Sequence, residues 1–484
     1  MSKVDSSIVG LRIAAETTIG VLPGTPVWTP YEPNSYSDFG SEYMTTARNP
    51  ISASRQRRKG SLTDEEASGG FELDWTQNNL FDLMPGFFFA AWRKKTELTV
   101  TSTTLTTTFN VASGGASFPT GSLLLASGFT NPANNGLKQV VSSTGTTVVV
   151  AGLVNETAPA GAKITRVGVQ AGSGDVTVTV SSGIATLGST TLNFTTLGLI
   201  PGEWIFIGGD LTAEKFATAA NNGFARIKTI AANAIVLDRQ PATMVTDAGA
   251  AKTIRLFFGH VIKNESDPLL IVRQTYQLER DFGVGPGCEY VKGAVPNELE
   301  LKISAGDKVT ASLSFMGLTT EQAAAKSGTR PSLASEAAFT ASNDFSRIRL
   351  LQEDTLASLA TYMDEISISI TNNCSYNKAI GTLGAFEITA GDYEVMGEVT
   401  AYFTTFEAAA AIRTNKDVSL DFAMVAGNSG WLFDIPLVTL GNGRLDVSKD
   451  QPVKLPLSAD ATAHPTLNHT LLAVSYSYLP TAAS

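Results

Sequence analysis

Leu299-Glu300-Leu301-Lys302-Ile303 is followed, after the turn Ser304-Ala305-Gly306-Asp307, by Val309-Thr310-Ala311-Ser312-Leu313-Ser314-Phe315. Apolar and polar residues alternate strictly in both runs. A period of two sends successive side chains to opposite faces, so each run predicts an antiparallel strand with one buried face. The pattern continues downstream. Ile366, Ile368 and Ile370 alternate with Ser367 and Ser369, and Val395, Val399, Ala401 and Phe403 oppose Glu394, Glu398 and Tyr402. Leu420, Phe422 and Met424 repeat it, as do Leu472, Val474, Tyr476 and Tyr478. Upstream, Phe71, Leu73 and Trp75 alternate with Glu72 and Asp74. The chain is expected to be mainly β.

Two helices are expected among these strands. A short one should run from Gln77 to Met84 and stop at Pro85-Gly86. A better-marked one should run from about Phe406 to Thr414, with Thr404 and Glu407 at capping-box spacing and Asn415-Lys416 at its end.

Between about Thr96 and Ala251 charge almost vanishes and Thr, Val, Ser, Gly and Ala dominate. An internal repeat lies here. Gly121-Ser-Leu-Leu-Leu-Ala-Ser-Gly128 precedes Asn134-Asn135-Gly136 and Val148-Val149-Val150; Gly202-Glu-Trp-Ile-Phe-Ile-Gly-Gly209 precedes Asn221-Asn222-Gly223 and Ile235-Val236-Leu237. The expected division is a discontinuous main domain, 1–95 plus 256–484, carrying two small β-modules at 96–168 and 169–255. Asn-Gly supplies the positive φ values of tight turns.

The 484 residues include 43% hydrophobic and 17% charged side chains, with a net charge of −10. That acidic balance disfavours gripping DNA through its phosphates. No apolar run approaches the length of a membrane helix, and Met1 to Gly10 lacks a secretory pattern, so folding in the cytoplasm where the chain is made is expected.

Catalytic and metal chemistry is not legible. Cys288 and Cys374 are too few for a zinc site or a disulfide framework, and read as buried or idle thiols. His260, His464 and His469 read as exposed loop histidines. Gly283-Val-Gly-Pro-Gly287 reads as a turn, because Pro286 removes an amide that a phosphate site would use. Asp307, Asp354, Asp364, Asp392 and Glu394 lack calcium-loop spacing. No cofactor is expected, and no enzyme activity. The remaining candidate is Arg48 with Arg55-Gln-Arg57-Arg58-Lys59, a basic loop in a Ser/Asn/Pro context. Three readings compete for it: a solvated loop, contact with DNA, and an arm docking on an acidic surface of a neighbouring subunit.

The opening, Ala15-Glu-Thr-Thr-Ile-Gly-Val-Leu-Pro-Gly-Thr-Pro-Val-Trp28, resembles the start of tail tube proteins of long, non-contractile-tailed phages. Asp38-Phe39-Gly40, the Arg55–Gly60 loop and the segment Gly69 to Met84 are similar too. So are Glu394 to Phe403, the helix near Phe406, the strand with Leu420 and Phe422, Trp431 to Pro436, and Lys454 to Pro456. The resemblance implies a tail-tube-type antiparallel β-sandwich or barrel with one flanking helix. It implies a structural virion protein of the tail whose rings, usually hexamers, stack into a hollow tube that passes DNA without binding it. The loop around residues 41–68 would reach an adjacent ring, with Arg48, Arg55, Arg57, Arg58 and Lys59 as docking residues. Implied partners are sister copies, a tape measure protein in the lumen, and tail terminator and baseplate proteins at the tube ends. The 96–255 repeat, which many such proteins lack, would decorate the exterior. The competing reading is a phage surface or baseplate protein whose β-modules bind host glycans.

Overall fold

The computed structural model describes residues 5–51, 56, 58–283, 285, 287–360 and 362–484. Antiparallel strands form a 16-stranded and a 14-stranded sheet, with a separate hairpin of Ser375–Lys378 and Ala385–Thr389. The larger sheet is built from both ends of the chain. It runs from His260–Lys263 at one end of its path to Gly10–Ala15 and Thr29–Tyr31 at the other.

The alternating segments pair as their patterns require. On strand Cys288–Ser304, Leu299 lies opposite Leu313 on one side and Ile370 on the other. All three are buried while Glu300 and Lys302 face outward, so the side-chain period selects which face enters the core.

Two long strands change partners part-way along. The first part of Cys288–Ser304 pairs with Tyr276–Asp281 and the second with Met363–Thr371, and the register shifts at Pro296/Glu298. Ser429–Asn442 pairs with Leu472–Tyr476 before Pro436 and with Lys454–Ala461 after it. Proline has no N–H for the ladder, so it suits a corner where a strand leaves one layer for another. The layers enclose one large core. In it Trp75 sits edge-on to Trp431 and Phe433, at 5.5 Å from each, and Phe422 stacks on Phe433 at 5.1 Å.

The first helix departs from expectation, and the second lies where expected but without its capping box. Asn78 to Leu83 form turns, and the helix is Met84–Phe88, which begins where the reading had stopped it. Pro85 occupies its first turn, where the missing N–H breaks no helical bond. The second helix is Glu407–Arg413 with Phe406 at the N-cap, so the expected Thr404/Glu407 capping box is not formed. Thr405, not Thr404, accepts the Glu407 N–H, at 3.5 Å.

The smaller sheet spans strands from Glu97–Thr104 to Arg255–Phe258. Many of its apolar side chains fall into one cluster between Val100 and Ile164 and another between Val169 and Phe258, and a further set, with Leu123, Val167 and Phe257, packs with side chains of the main body. Strand Lys163–Gln170 runs through position 168 and pairs with Glu97–Thr104 and Arg255–Phe258.

The two Asn-Asn-Gly motifs make the same hydrogen bonds. Asn135 accepts from Phe129 N–H and donates to its carbonyl, and Asn222 does so with Phe216. Asn134 brackets Val154, and Asn221 brackets Val245, in the same two-way manner. Asn134 and Asn221 are fully buried, so these amides satisfy backbone groups where water does not reach. Only the glycines turn left-handed, Gly136 at φ 91° and Gly223 at φ 127°; both asparagine pairs stay at negative φ. The motif is therefore a loop staple more than a tight turn.

The expectation of one buried face fails for Val418–Ala426 and Leu472–Tyr476. Both strands are buried on both faces. One face meets the main core, and the other, with Ala423, Val425, Leu472 and Val474, packs against Trp204, Phe206 and Phe224 of the smaller sheet.

Candidate assembly interface

Pro33–Ala47 and Gly60–Asp74 form a hairpin in register from Tyr36–Phe71 out to Ala47–Gly60. The stretch around 41–68, expected as a loop, is thus mostly a two-stranded arm. Gly60–Asp74 is also paired on its other side, with Thr310–Gly317, but only over Ala67–Asp74. Its remaining residues, Gly60 to Glu66, reach roughly 20 Å past that ladder at about 3.3 Å per residue. Pro33–Ala47 has no second partner strand among the described residues, which leaves its outer edge open.

The arm's root is pinned by charge and hydrogen bonds. The buried Glu65 carboxylate accepts from Ser41 Oγ at 2.7 Å, Thr319 Oγ1 at 3.1 Å and Thr320 N–H at 3.2 Å. Lys378, on the separate hairpin, bridges Asp64 and Glu66, lying 2.6 Å from Glu66. The Lys378 ammonium holds the Asp64 carboxyl below its ordinary pKa.

At the tip, Arg48, Arg58 and Lys59 are exposed and are brought together by the hairpin turn. Arg55 and Arg57 lie outside the described residues. None of Arg48, Arg58 and Lys59 is in an ion pair among the described residues. The arm also exposes Tyr43, Met44, Ile51 and Leu62. These four were missed because no periodicity marks them: a strand with water on both faces has no apolar side to reveal. A second apolar surface is the run Leu269-Leu270-Ile271-Val272, all exposed, where Leu269 is 90% accessible. Consecutive exposed aliphatics of this kind mark contact surfaces more than solvated loops.

The groups that could carry chemistry are scattered, and most are already engaged. The histidines are not exposed as expected: His260 and His469 are buried and His464 is half-buried. His260 Nδ1 accepts from Lys95 N–H at 3.1 Å, and His469 Nδ1 lies 3.0 Å from the Leu467 carbonyl, to which it donates. Desolvation pulls their pKa values down to about 4 and about 3. Asp354 pairs with Lys416 at 2.5 Å and Asp364 with Lys454 at 2.7 Å. Glu279, Asp281 and Cys288 cluster at metal-binding distance, but Arg12 and Arg330 neutralise the two acids, which leaves no ligand set fit for a cation. Gly283, Gly285 and Gly287 all adopt positive φ in the turn between Tyr276–Asp281 and Cys288–Ser304, while positions 284 and 286 lie outside the described residues.

The opening motif serves packing. The Glu16 carboxylate accepts from Gly20 N–H at 2.8 Å, Thr275 Oγ1 at 2.7 Å and Gly293 N–H at 3.0 Å. Trp28 is fully buried and its Nε1 donates to the Ser327 carbonyl at 3.2 Å.

Among the described residues no helix is long and apolar enough to cross a membrane. No curated protein matches the chain. Residues 165–463 match the family model described as phage tail tube protein, a span that takes in the second half of the smaller sheet and most of the main body. With more than half its length matched and an antiparallel β-sandwich fold, the chain belongs to the phage tail tube protein family and is a structural component of the virion tail.

Proposed function

We propose that copies of this chain assemble into rings, hexameric as the resemblance implies, that stack into the hollow tube of a long non-contractile tail. The observation that carries this reading is the arm: a hairpin with an open edge among the described residues, exposed apolar side chains, and the exposed Arg48, Arg58 and Lys59, which make no ion pair among the described residues. Open strand edges invite pairing with another copy, and a closing ring satisfies them without an endless fibre. The basic residues Arg48, Arg55, Arg57, Arg58 and Lys59 dock on an acidic surface of a neighbouring ring. Family membership and the net charge of −10 support a conduit that lets DNA slide and needs no catalytic turnover. Partners at the lumen and ends are then the tape measure, terminator and baseplate proteins, and synthesis occurs in the host cytoplasm.

In this reading 1–95 and 256–484 form the tube domain, and 96–168 and 169–255 are inserted modules on its outside. The separate apolar clusters at Val100–Ile164 and Val169–Phe258 support the division. Electron microscopy of the concentrated purified protein tests the assembly. Rings or tubes are expected, and a protein that stays monomeric at every concentration and salt condition would overturn it.

A further inference from the structure

Arg166, on strand Lys163–Gln170, is 6% exposed, yet no carboxylate pairs with it among the described residues. Its Nη1 lies 3.5 Å from the Thr196 carbonyl, the limit of a hydrogen bond, while Nε and Nη2 meet no acceptor. A guanidinium stays charged under all ordinary conditions and presents five N–H groups. Buried charge is tolerated only when paired, and buried donors are almost always satisfied.

The surroundings deepen the imbalance. The Arg166 guanidinium lies 5.9 Å from the Phe258 ring centre, and the Lys95 ammonium lies 5.3 Å from the same ring. Lys95 is itself buried. Among the described residues the carboxylate that pairs with Lys95 is Glu203, whose Oε1 is 2.7 Å from Lys95 Nζ and whose other oxygen accepts from Ile200 N–H at 3.1 Å. Of the two cations on this ring, Lys95 therefore has a counter-charge and Arg166 has none. The carbonyls of Thr196 and Gly198 contribute only partial negative charge. Consistent with this, burial pulls the Arg166 pKa down, with no neighbouring charge opposing it.

We propose that Arg166 Nε and Nη2 bind a small monovalent anion of the halide class, which neutralises the surplus charge beside Phe258 and Lys95. A water molecule would satisfy the N–H groups but leave the charge uncompensated. An acidic side chain of another subunit does not reach a guanidinium enclosed within this chain. The site lies on the strand that pairs with Ser122–Ser127 along one edge and, along the other, first with Glu97–Thr104 and then with Arg255–Phe258, so the anion braces the place where the two halves of the smaller sheet join.

The test is thermal unfolding of the full-length protein at equal ionic strength in sodium chloride, bromide or gluconate, at about 200 mM. The wild type should melt at least about 2 °C higher in either halide than in gluconate, as expected when a ligand binds only the folded state. Arg166→Met, which keeps the length and removes the charge, should abolish the halide effect. Because that variant can misfold, anomalous diffraction from crystals of the wild type grown in bromide gives a second readout, with a peak expected against Arg166. Equal melting in halide and gluconate, a halide effect undiminished in Arg166→Met, or no bromide peak at Arg166 would each overturn the proposal.

Discussion

Arg226 and Asp434 meet across the seam between the two sheets, with the guanidinium Nη1 3.1 Å from both carboxylate oxygens and both side chains almost wholly buried. Arg226 also forks Asp238, through Nε at 3.0 Å and Nη2 at 3.2 Å. Nearby, Arg347 pairs with Asp421 and lies 4.8 Å from the Trp204 ring, and Arg239 reaches Ser419 at 3.1 Å. The Arg226–Asp434 and Arg239–Ser419 bonds and the stacking of Arg347 on Trp204 tie the smaller sheet to the main body.

Removing one partner leaves the other charged and dry. Arg226→Ala should cost about 3–5 kcal/mol in denaturant unfolding, because Asp434 loses its counter-charge in the interior. Arg226→Met combined with Asp434→Leu should recover most of that loss. A double variant as unstable as the single one would mean that packing, not charge, dominates the seam.

The same seam sets what removal of the proposed outer modules, 96–255, would do. Deleting it would bare Val425, Leu432, Val474 and Tyr476 together with the buried acids Asp421 and Asp434. The deletion should give insoluble or unfolded protein in place of a smaller assembling one. Trp204→Ala, which opens a cavity in the same contact, should cost about 3–5 kcal/mol while leaving the chain soluble. Solubility trials and denaturant titration separate the two outcomes.

How much of this was legible depended on whether a pattern had a buried face. Leu299, Leu313 and Ile370 were readable because only one side of each strand meets the core. Asp434 was not readable as a buried ion, although a lone acid in Trp431-Leu-Phe-Asp-Ile435 hints at one. Its partner Arg226 lies far away in sequence, and only the tertiary fold joins them. The arm strand Pro33–Ala47 was hidden for the opposite reason, having almost no buried side chain to set a period. His469 looked like a loop histidine from its Thr/Asn/Pro context, yet it is enclosed at the seam where Gly202 approaches it.

Those histidines make stability fall on mild acidification. His260 and His469 titrate near 4 and 3 when folded, against an ordinary value of about 6.5 when unfolded. Between pH 6.5 and about 4 the unfolded chain therefore binds protons that the folded chain does not, and unfolding is favoured as pH drops. Each group should contribute about 1.4 kcal/mol per pH unit in that window, and half-buried His464 shifts in the same direction. His260→Asn keeps an acceptor for Lys95 N–H but cannot be protonated, so it should flatten the slope by close to one proton. Denaturation midpoints at several pH values give that slope directly, and an unaltered slope would refute the assignment to His260.

The arm separates folding from assembly. Its tip carries Arg48, Arg58 and Lys59 beyond the last contact with the body, so reversing these charges together with Arg55 and Arg57 should leave monomer stability within about 0.5 kcal/mol. Polymerisation should be abolished at physiological salt if the tip meets an acidic neighbour, because like charges would then face each other. Replacing the exposed Ile51 and Leu62 by serine should weaken assembly without that salt dependence, since apolar burial is not screened by ions. Light scattering across a salt series distinguishes the two contributions. Normal polymerisation of the charge-reversed protein at low and high salt would leave the basic tip as a solvated loop, and the open edge of Pro33–Ala47 would have to carry association without it.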